Sequence, residues 1–286
     1  SRHHVVLVAT RAPKPAGRGN RLRPTPVAEA ARSLALPLVE VKTVRTGPGF
    51  EALVESRPDA VVVVAYGEIL PRAVLELPAL APVNLHFSLL PKLRGASPVQ
   101  AALRHGFRET GVTTMIMEAG LDSGPVLLQS RLPIHPFDDA GSLGTRLSQV
   151  GAGVLVETLD RLSEGDLSAE PQDDRLATFA PRLGPDDRIL DWSRPAAELA
   201  NLVRALAPEP AATAEFRGRG LKVVRAEVEG ISGEPGTVVE VAKDGFVVAA
   251  GEDGLRPLEV VPPGRKRMSA AEFVRGFHPV PGERLS

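Results

Sequence analysis

Asn84, His86 and Ser88 alternate with Leu85, Phe87 and Leu89. As a strand this puts an amide, an imidazole and a hydroxyl on one face and apolar side chains on the other. A carboxylate stands further along, in Gly120-Leu121-Asp122-Ser123-Gly124, between the strand-like runs 112–117 and 126–132. Taken singly, each group has a plain structural reading. A histidine in an apolar strand is usually a satisfied core residue, and an Asp in a tight turn usually bonds its own backbone. Taken together they predict chemistry: if the connection folds back over the end of the 84–91 stretch, Asp122 orients His86 and tunes its charge beside the Asn84 amide. General acid–base work needs an imidazole oriented in this way.

The elements that must position these groups read as an α/β domain over residues 1–166. The run 61–65, Val-Val-Val-Val-Ala, predicts a strand buried on both faces, as in parallel sheets, and 5–9 predicts another. Helices are predicted at 26–36, capped by Thr25 with Pro26 in its first position, and at 49–57. Ser97-Pro98 opens a helix that stops at Gly106. In 142–162, Leu143, Leu147, Val150, Val154 and Leu155 recur at helical spacing and close the domain. A Pro-, Asp- and Arg-rich connection follows, so 167–187 is read as a linker. Residues 188–286 change period: a helix at 195–207, then short strands at 220–229, 237–243, 246–250 and 255–261 between glycine turns, as in a small barrel. Ser269 and Glu272 form a capping box.

At 286 residues with 43% hydrophobic content the chain is long enough for two cores. No apolar run is long enough to span a bilayer or serve as a signal peptide, so a cytoplasmic protein is expected. With no cysteine, thiolate chemistry and Cys-ligated zinc are excluded, and six His without paired ligand spacing predict no metal site. The net charge of −1 hides a local asymmetry, because the first 28 residues hold no Asp or Glu. Arg11, Lys14, Arg18, Arg21 and Arg23 lie in or beside Pro13-Lys14-Pro15-Ala16-Gly17-Arg18-Gly19-Asn20, a composition that predicts a flexible loop, neither helix nor strand. Such a segment is either a solvated excursion or a grip for a phosphate backbone. Arg265, Lys266 and Arg267 make a second basic patch.

The Asn-x-His strand, Ser88-Leu89-Leu90-Pro91 and the Asp122 hairpin, in that order, resemble the formyltetrahydrofolate-dependent formyltransferase family. The likeness extends to Val64-Ala65-Tyr66-Gly67-Glu68-Ile69-Leu70-Pro71, Arg94-Gly95-Ala96-Ser97-Pro98-Val99-Gln100, Glu109-Thr110-Gly111-Val112-Thr113 and Pro263-Gly264-Arg265-Lys266-Arg267-Met268-Ser269. The flanks and the C-terminal part favour the members that act on methionyl-tRNA. Phe87, Leu93 and Ser123 depart from the usual family residues without removing a catalytic group. The family's opening strand, glycine loop and helix have no counterpart ahead of residue 5. Further N-terminal residues are therefore expected in the natural chain, and a gap beside the 5–9 strand is expected without them.

The resemblance implies a Rossmann-like catalytic domain followed by an OB-like, tRNA-binding barrel. It implies formyl transfer from 10-formyltetrahydrofolate to the α-amine of initiator methionyl-tRNA. Asn84 would donate to the oxyanion, His86 would move the proton or stabilise that oxyanion, and Asp122 would hold His86. The folate would lie along Ser88, Leu89, Leu90 and Pro91, against backbone at Glu68, Ile69, Leu70, Gly120 and Leu121. Arg11, Lys14, Arg18, Arg21 and Arg23 would meet the acceptor stem, with Arg265, Lys266 and Arg267 as further RNA contacts. No membrane or obligate protein partner is implied. Two alternatives stay open: a formyltransferase acting on a sugar nucleotide or another small amine such as glycinamide ribonucleotide, and a non-catalytic RNA-binding relative.

Overall fold

The computed structural model describes residues 2–16 and 21–286. Their elements run β1 (Val8–Arg11), β2 (Lys14–Ala16), β3 (Arg21–Arg23), α1 (Pro26–Ser33), β4 (Leu38–Val41), α2 (Pro48–Ser56), β5 (Ala60–Val63), α3 (Arg72–Leu75), β6 (Ala81–His86), α4 (Pro98–Arg104), β7 (Glu109–Ile116), β8 (Val126–Pro133) and α5 (Ala140–Glu164). Then follow α6 (Ala196–Leu206), β9 (Ala212–Phe216), β10 (Arg219–Glu229), β11 (Val238–Ala242), β12 (Gly245–Ala249), β13 (Gly254–Val261), β14 (Met268–Ser269) and α7 (Ala270–Phe277). The chain forms two compact units, one of Ser1–Arg94, Val112–Ser130 and Val150–Ala177, the other of Gly95–Gly111, Arg131–Gln149 and Thr178–Ser286.

In the first unit β1 pairs β4 in parallel, while β5, β6, β7 and β8 form a separate four-stranded sheet. β5 runs parallel to β6, and β7 is antiparallel to it. Among the described residues no strand pairs the second edge of β1 or of β5. This corrects the expectation that 61–65 is buried on both faces. As an edge strand, β5 leaves Val62 39% exposed, and Val64 just beyond it is 42% exposed. The expected 5–9 strand begins later, at Val8. Helix α1 starts as its sequence predicts, the Thr25 hydroxyl accepting from the Ala28 N–H at 3.1 Å, but ends at Ser33 with its cap at Leu34.

β6 is held from behind by α5. A Cβ on Gly151 would come within 2.9 Å of the Leu85 Cδ2 methyl, so the helix packs closely against the Leu85 side chain. Thr114 and Thr158 share a hydroxyl–hydroxyl bond of 2.7 Å between β7 and α5. Leu85 therefore faces the helix, and the alternation of the strand turns Asn84 and His86 to the opposite face.

The second unit is built on an antiparallel sheet in the order β11-β12-β13-β10-β9, with β14 added to β13. Leu199, Leu202, Val203 and Leu206 of α6 pack with Leu221, Phe246, Leu255 and Phe273 in one core. The last residues join the two outer strands. The Val238 N–H donates to the Glu283 carbonyl and the Leu285 N–H to the Gly236 carbonyl, while Glu215 and Ser286 exchange bonds of 2.5 and 3.1 Å. The sheet thus closes into a small barrel through residues 283–286. Neither that seam nor β9 is among the elements expected from the sequence. The Ser269–Glu272 capping box is present.

Candidate active site

β6 delivers Asn84 and His86 to its C-terminal end, both buried, at 8% and 6% exposure. Their cross-strand partners on β7 are Met115 and Thr113. The His86 imidazole is flanked on both sides by acceptors. Nε2 lies 2.9 Å from the Leu93 carbonyl oxygen, and Nδ1 lies 3.7 Å from Asp122 Oδ2. A carbonyl only accepts, so the neutral ring keeps its proton on Nε2, and Nδ1 is the nitrogen left to take up or release one. The Asp122 gap is longer than a hydrogen bond and too short to hold a bridging water, a looseness common in catalytic pairs before substrate binds. Leu93 and Asp122 both sit in the left-handed backbone region, with φ of 59° and 49°.

The segment after β6 is fixed by one hydroxyl. Thr113 Oγ1 donates to the Ser88 carbonyl at 2.6 Å and accepts from the Leu90 N–H at 3.2 Å and from Gln129 Nε2 at 3.0 Å. Gln129 also donates to the Leu90 carbonyl at 2.8 Å, and Ser88 Oγ donates to the Lys92 carbonyl at 2.6 Å. Ser88, Leu89, Leu90 and Pro91 are therefore a pre-shaped wall, with a cis bond between Leu90 and Pro91. Neither Thr113 nor Gln129 is among the residues that the sequence pattern marks for the site. A signal exists for Thr113, a polar side chain opposite His86 in the pairing of two apolar strands.

The Asp122 turn is set by Gly124, where a Cβ would fall 2.0 Å from the Ile116 carbonyl oxygen. The Ile116 N–H donates to the Pro125 carbonyl at 3.0 Å, closing the two arms. Leu121 at the tip is 57% exposed. Elsewhere in the same unit Ile69 is 77% exposed, whereas Leu70 packs with Val44 and Val74. Glu68 accepts from Thr43 Oγ1 at 2.8 Å and pairs with Arg11 at 3.4 Å. Burial, and after it the nearby Glu68 carboxylate, push the Tyr66 hydroxyl up from its ordinary pKa.

The basic segment is more ordered than its composition predicts. Lys14, Pro15 and Ala16 of β2 pair with Arg23, Leu22 and Arg21 of β3 as a short antiparallel ladder, not an irregular loop. Pro15 fits because every second pair in such a ladder exchanges no N–H bond. Lys14, Arg21 and Arg23 are exposed, Arg11 is turned to Glu68, and Arg18 lies outside the described residues. In the second unit Arg265 and Lys266 are exposed, and Arg267 is ion-paired with Glu259. Arg265 borders a cavity of about 470 Å³ shared with Phe216, Arg217, Arg219 and Phe277. Among the described residues no three His, Asp or Glu side chains group as metal ligands, and no helix is long and apolar enough to cross a membrane.

Residues 1–159 match the formyl transferase family, and 182–278 match the formyl transferase C-terminal domain. The chain belongs to the formyl transferase family, with a Rossmann-like α/β domain followed by a β-rich domain. The methionyl-tRNA formyltransferase of Acidithiobacillus ferrooxidans is 46% identical over 283 residues, covering 98% of this chain and 90% of that protein. The methionyl-tRNA formyltransferase of Geobacter sulfurreducens is 42% identical over 281 residues, 98% of this chain and 89% of that protein. Among solved structures, the methionyl-tRNA formyltransferase of Clostridium thermocellum superposes with a TM-score of 0.55 at 18% identity, over 71% of this chain and 87% of that one. HypX from Aquifex aeolicus, in complex with tetrahydrofolic acid, gives 0.63 at 17% identity, over 87% and 44%. At such identities the structures speak for the fold alone.

Proposed function

We propose that this protein transfers the formyl group of 10-formyltetrahydrofolate to the α-amine of initiator methionyl-tRNA. The observation that carries the reading is the buried His86, bracketed by the Leu93 carbonyl and Asp122 beside Asn84, in a chain 46% identical to a methionyl-tRNA formyltransferase over nearly its whole length. The amine nitrogen attacks the formyl carbon, and the carbonyl oxygen becomes an oxyanion that the Asn84 amide meets with an N–H. His86 Nδ1 takes the proton that the attacking nitrogen gives up. The same nitrogen then returns it to the folate nitrogen as the old carbon–nitrogen bond breaks, leaving a formamide and tetrahydrofolate. Asp122 faces Nδ1 and steadies the ring while it carries charge. No covalent enzyme intermediate is required.

In this reading the folate lies along Ser88, Leu89, Leu90 and Pro91. The wall held by Thr113 and Gln129 and the exposed Ile69 and Leu121 support that placement, with Glu68, Leu70 and Gly120 completing it. Residues 1–166 are the catalytic domain, 167–187 the linker and 188–286 the RNA-binding barrel, and the reaction is placed in the cytoplasm. Lys14, Arg18, Arg21 and Arg23 grip the acceptor stem, and Arg265 and Lys266 add contacts from the barrel. Arg11 and Arg267 are weaker candidates, since each already has a carboxylate partner. The test is formyl transfer from 10-formyltetrahydrofolate to charged initiator tRNA, with a sugar-nucleotide amine as the competing acceptor. Turnover with the sugar nucleotide and none with the tRNA overturns the reading.

A further inference from the structure

We infer that Gln172 is a positioning residue that sets the distance between His86 and Asp122, an inference that rests on the proposed formyl transfer. Its carboxamide joins two segments of the same unit. Nε2 donates to the carbonyls on either side of Ser123, to Asp122 at 2.9 Å and to Gly124 at 2.7 Å. Oε1 accepts twice from the Arg94 guanidinium, from Nε at 3.1 Å and from Nη2 at 2.8 Å. Arg94 is itself buried, at 5% exposure, and also donates to Asp174 Oδ1 at 2.8 Å.

Chemistry fixes the direction of this relay. A guanidinium has donors only, so the amide oxygen must face Arg94, and both N–H groups then face the hairpin. The reversed amide would leave two carbonyls without this donor and set N–H against N–H. Arg94 follows Leu93 directly, and Leu93 supplies the carbonyl on the Nε2 side of His86. The path Leu93–Arg94–Gln172–Asp122 therefore ties the acceptor on one side of the imidazole to the acceptor on the other. One amide spans the two left-handed residues at Leu93 and Asp122 and holds their separation.

Two substitutions separate this role from simple anchorage. Gln172→Glu keeps an oxygen for Arg94, and gains charge, but loses both N–H donors to the hairpin; Gln172→Ala loses both connections. We expect both to lower kcat on the order of tenfold to a hundredfold, the scale on which a misplaced catalytic group is felt, with KM for the folate held within about twofold. The His86 ring resonances should move in Gln172→Glu while its unfolding midpoint stays near that of the wild type. A Gln172→Glu protein with wild-type kcat and unmoved His86 resonances overturns the inference. If the wild type shows no formyl transfer, the proposed function fails instead, and the His86 resonances still decide whether Gln172 sets the ring's surroundings.

Discussion

His86 and Leu93 are joined by a buried hydrogen bond: an imidazole nitrogen donates across 2.9 Å to the carbonyl of a leucine whose backbone is left-handed. That bond decides which ring nitrogen is available for proton transfer, and it leaves Nδ1 facing Asp122. His86→Ala and Asp122→Asn should each lower kcat by about 10²–10⁴, the usual worth of a general acid–base group, with tRNA affinity held within about twofold. Single-turnover formyl transfer and filter binding on the same preparations check it. An equal loss of binding would make the pair structural.

The left-handed leucine gives a reversed stability order. Leu93 is 3% exposed, so either Ala or Gly in its place forfeits its packing. At ordinary positions Gly is the less stable of the two, but here Ala keeps the strain of a φ of 59° and Gly does not. Leu93→Gly should be more stable than Leu93→Ala by about 1 kcal/mol. Urea unfolding of the two variants reads the difference, and the ordinary order would show that the strain is absorbed elsewhere.

Cations on the β2–β3 ladder and the cation beside it should behave differently. Arg21 and Arg23 are exposed, so replacing either with Gln should weaken initiator-tRNA binding and flatten its salt dependence by about 0.7–0.9 in log–log slope for each phosphate no longer neutralised. Arg11 pairs with Glu68, so Arg11→Gln should leave that slope nearly unchanged. Titrations between low and physiological salt compare them. Equal slopes in all three would make the ladder a solvated projection.

Glu283 ties the barrel seam to acidity. Its carboxyl accepts from Arg217 Nε at 2.7 Å, and this bond, with partial burial opposing it, holds the group below the ordinary carboxylate range. A carboxyl that is more acidic when folded adds stability above its unfolded pKa of about 4.3 and loses it as pH falls through the lower folded value. The difference in unfolding midpoint between wild type and Glu283→Gln should be full at neutral pH and shrink in acid. A difference independent of pH would remove the ion pair from the account.

What the sequence disclosed follows local rules. Thr25 and Pro26, the Ser269–Glu272 box and the alternation of Asn84 with Leu85 each depend on neighbours within a turn or a strand, so residue type alone predicts them. What it hid depends on partners far along the chain. The exposure of Val62 and Val64 follows from which strand stands beside β5, and a valine run is the same whether that neighbour is present or not. Gln172 sits in a stretch whose proline and charge mark a linker, and nothing in that composition says its amide reaches Arg94 and the Asp122 hairpin. The β2–β3 ladder is hidden by Pro13 and Pro15, which read as a break although Pro15 sits within the ladder opposite Leu22.

The barrel seam also sets a timetable for folding. Residues 283–286 bridge the strands that begin at Ala212 and Val238, so closure joins positions far apart in the chain and waits for the last of them to leave the ribosome. Until then Glu215 of β9 and Val238 of β11 present unpaired N–H and C=O groups to any neighbouring nascent chain. The first unit contains no residue beyond Ala177, so all of its chain is available while the barrel is still open. A protein with residues 283–286 removed should therefore show a normal first unit and a slow, aggregation-prone second one, which pulse proteolysis during synthesis would resolve as a late-protected barrel.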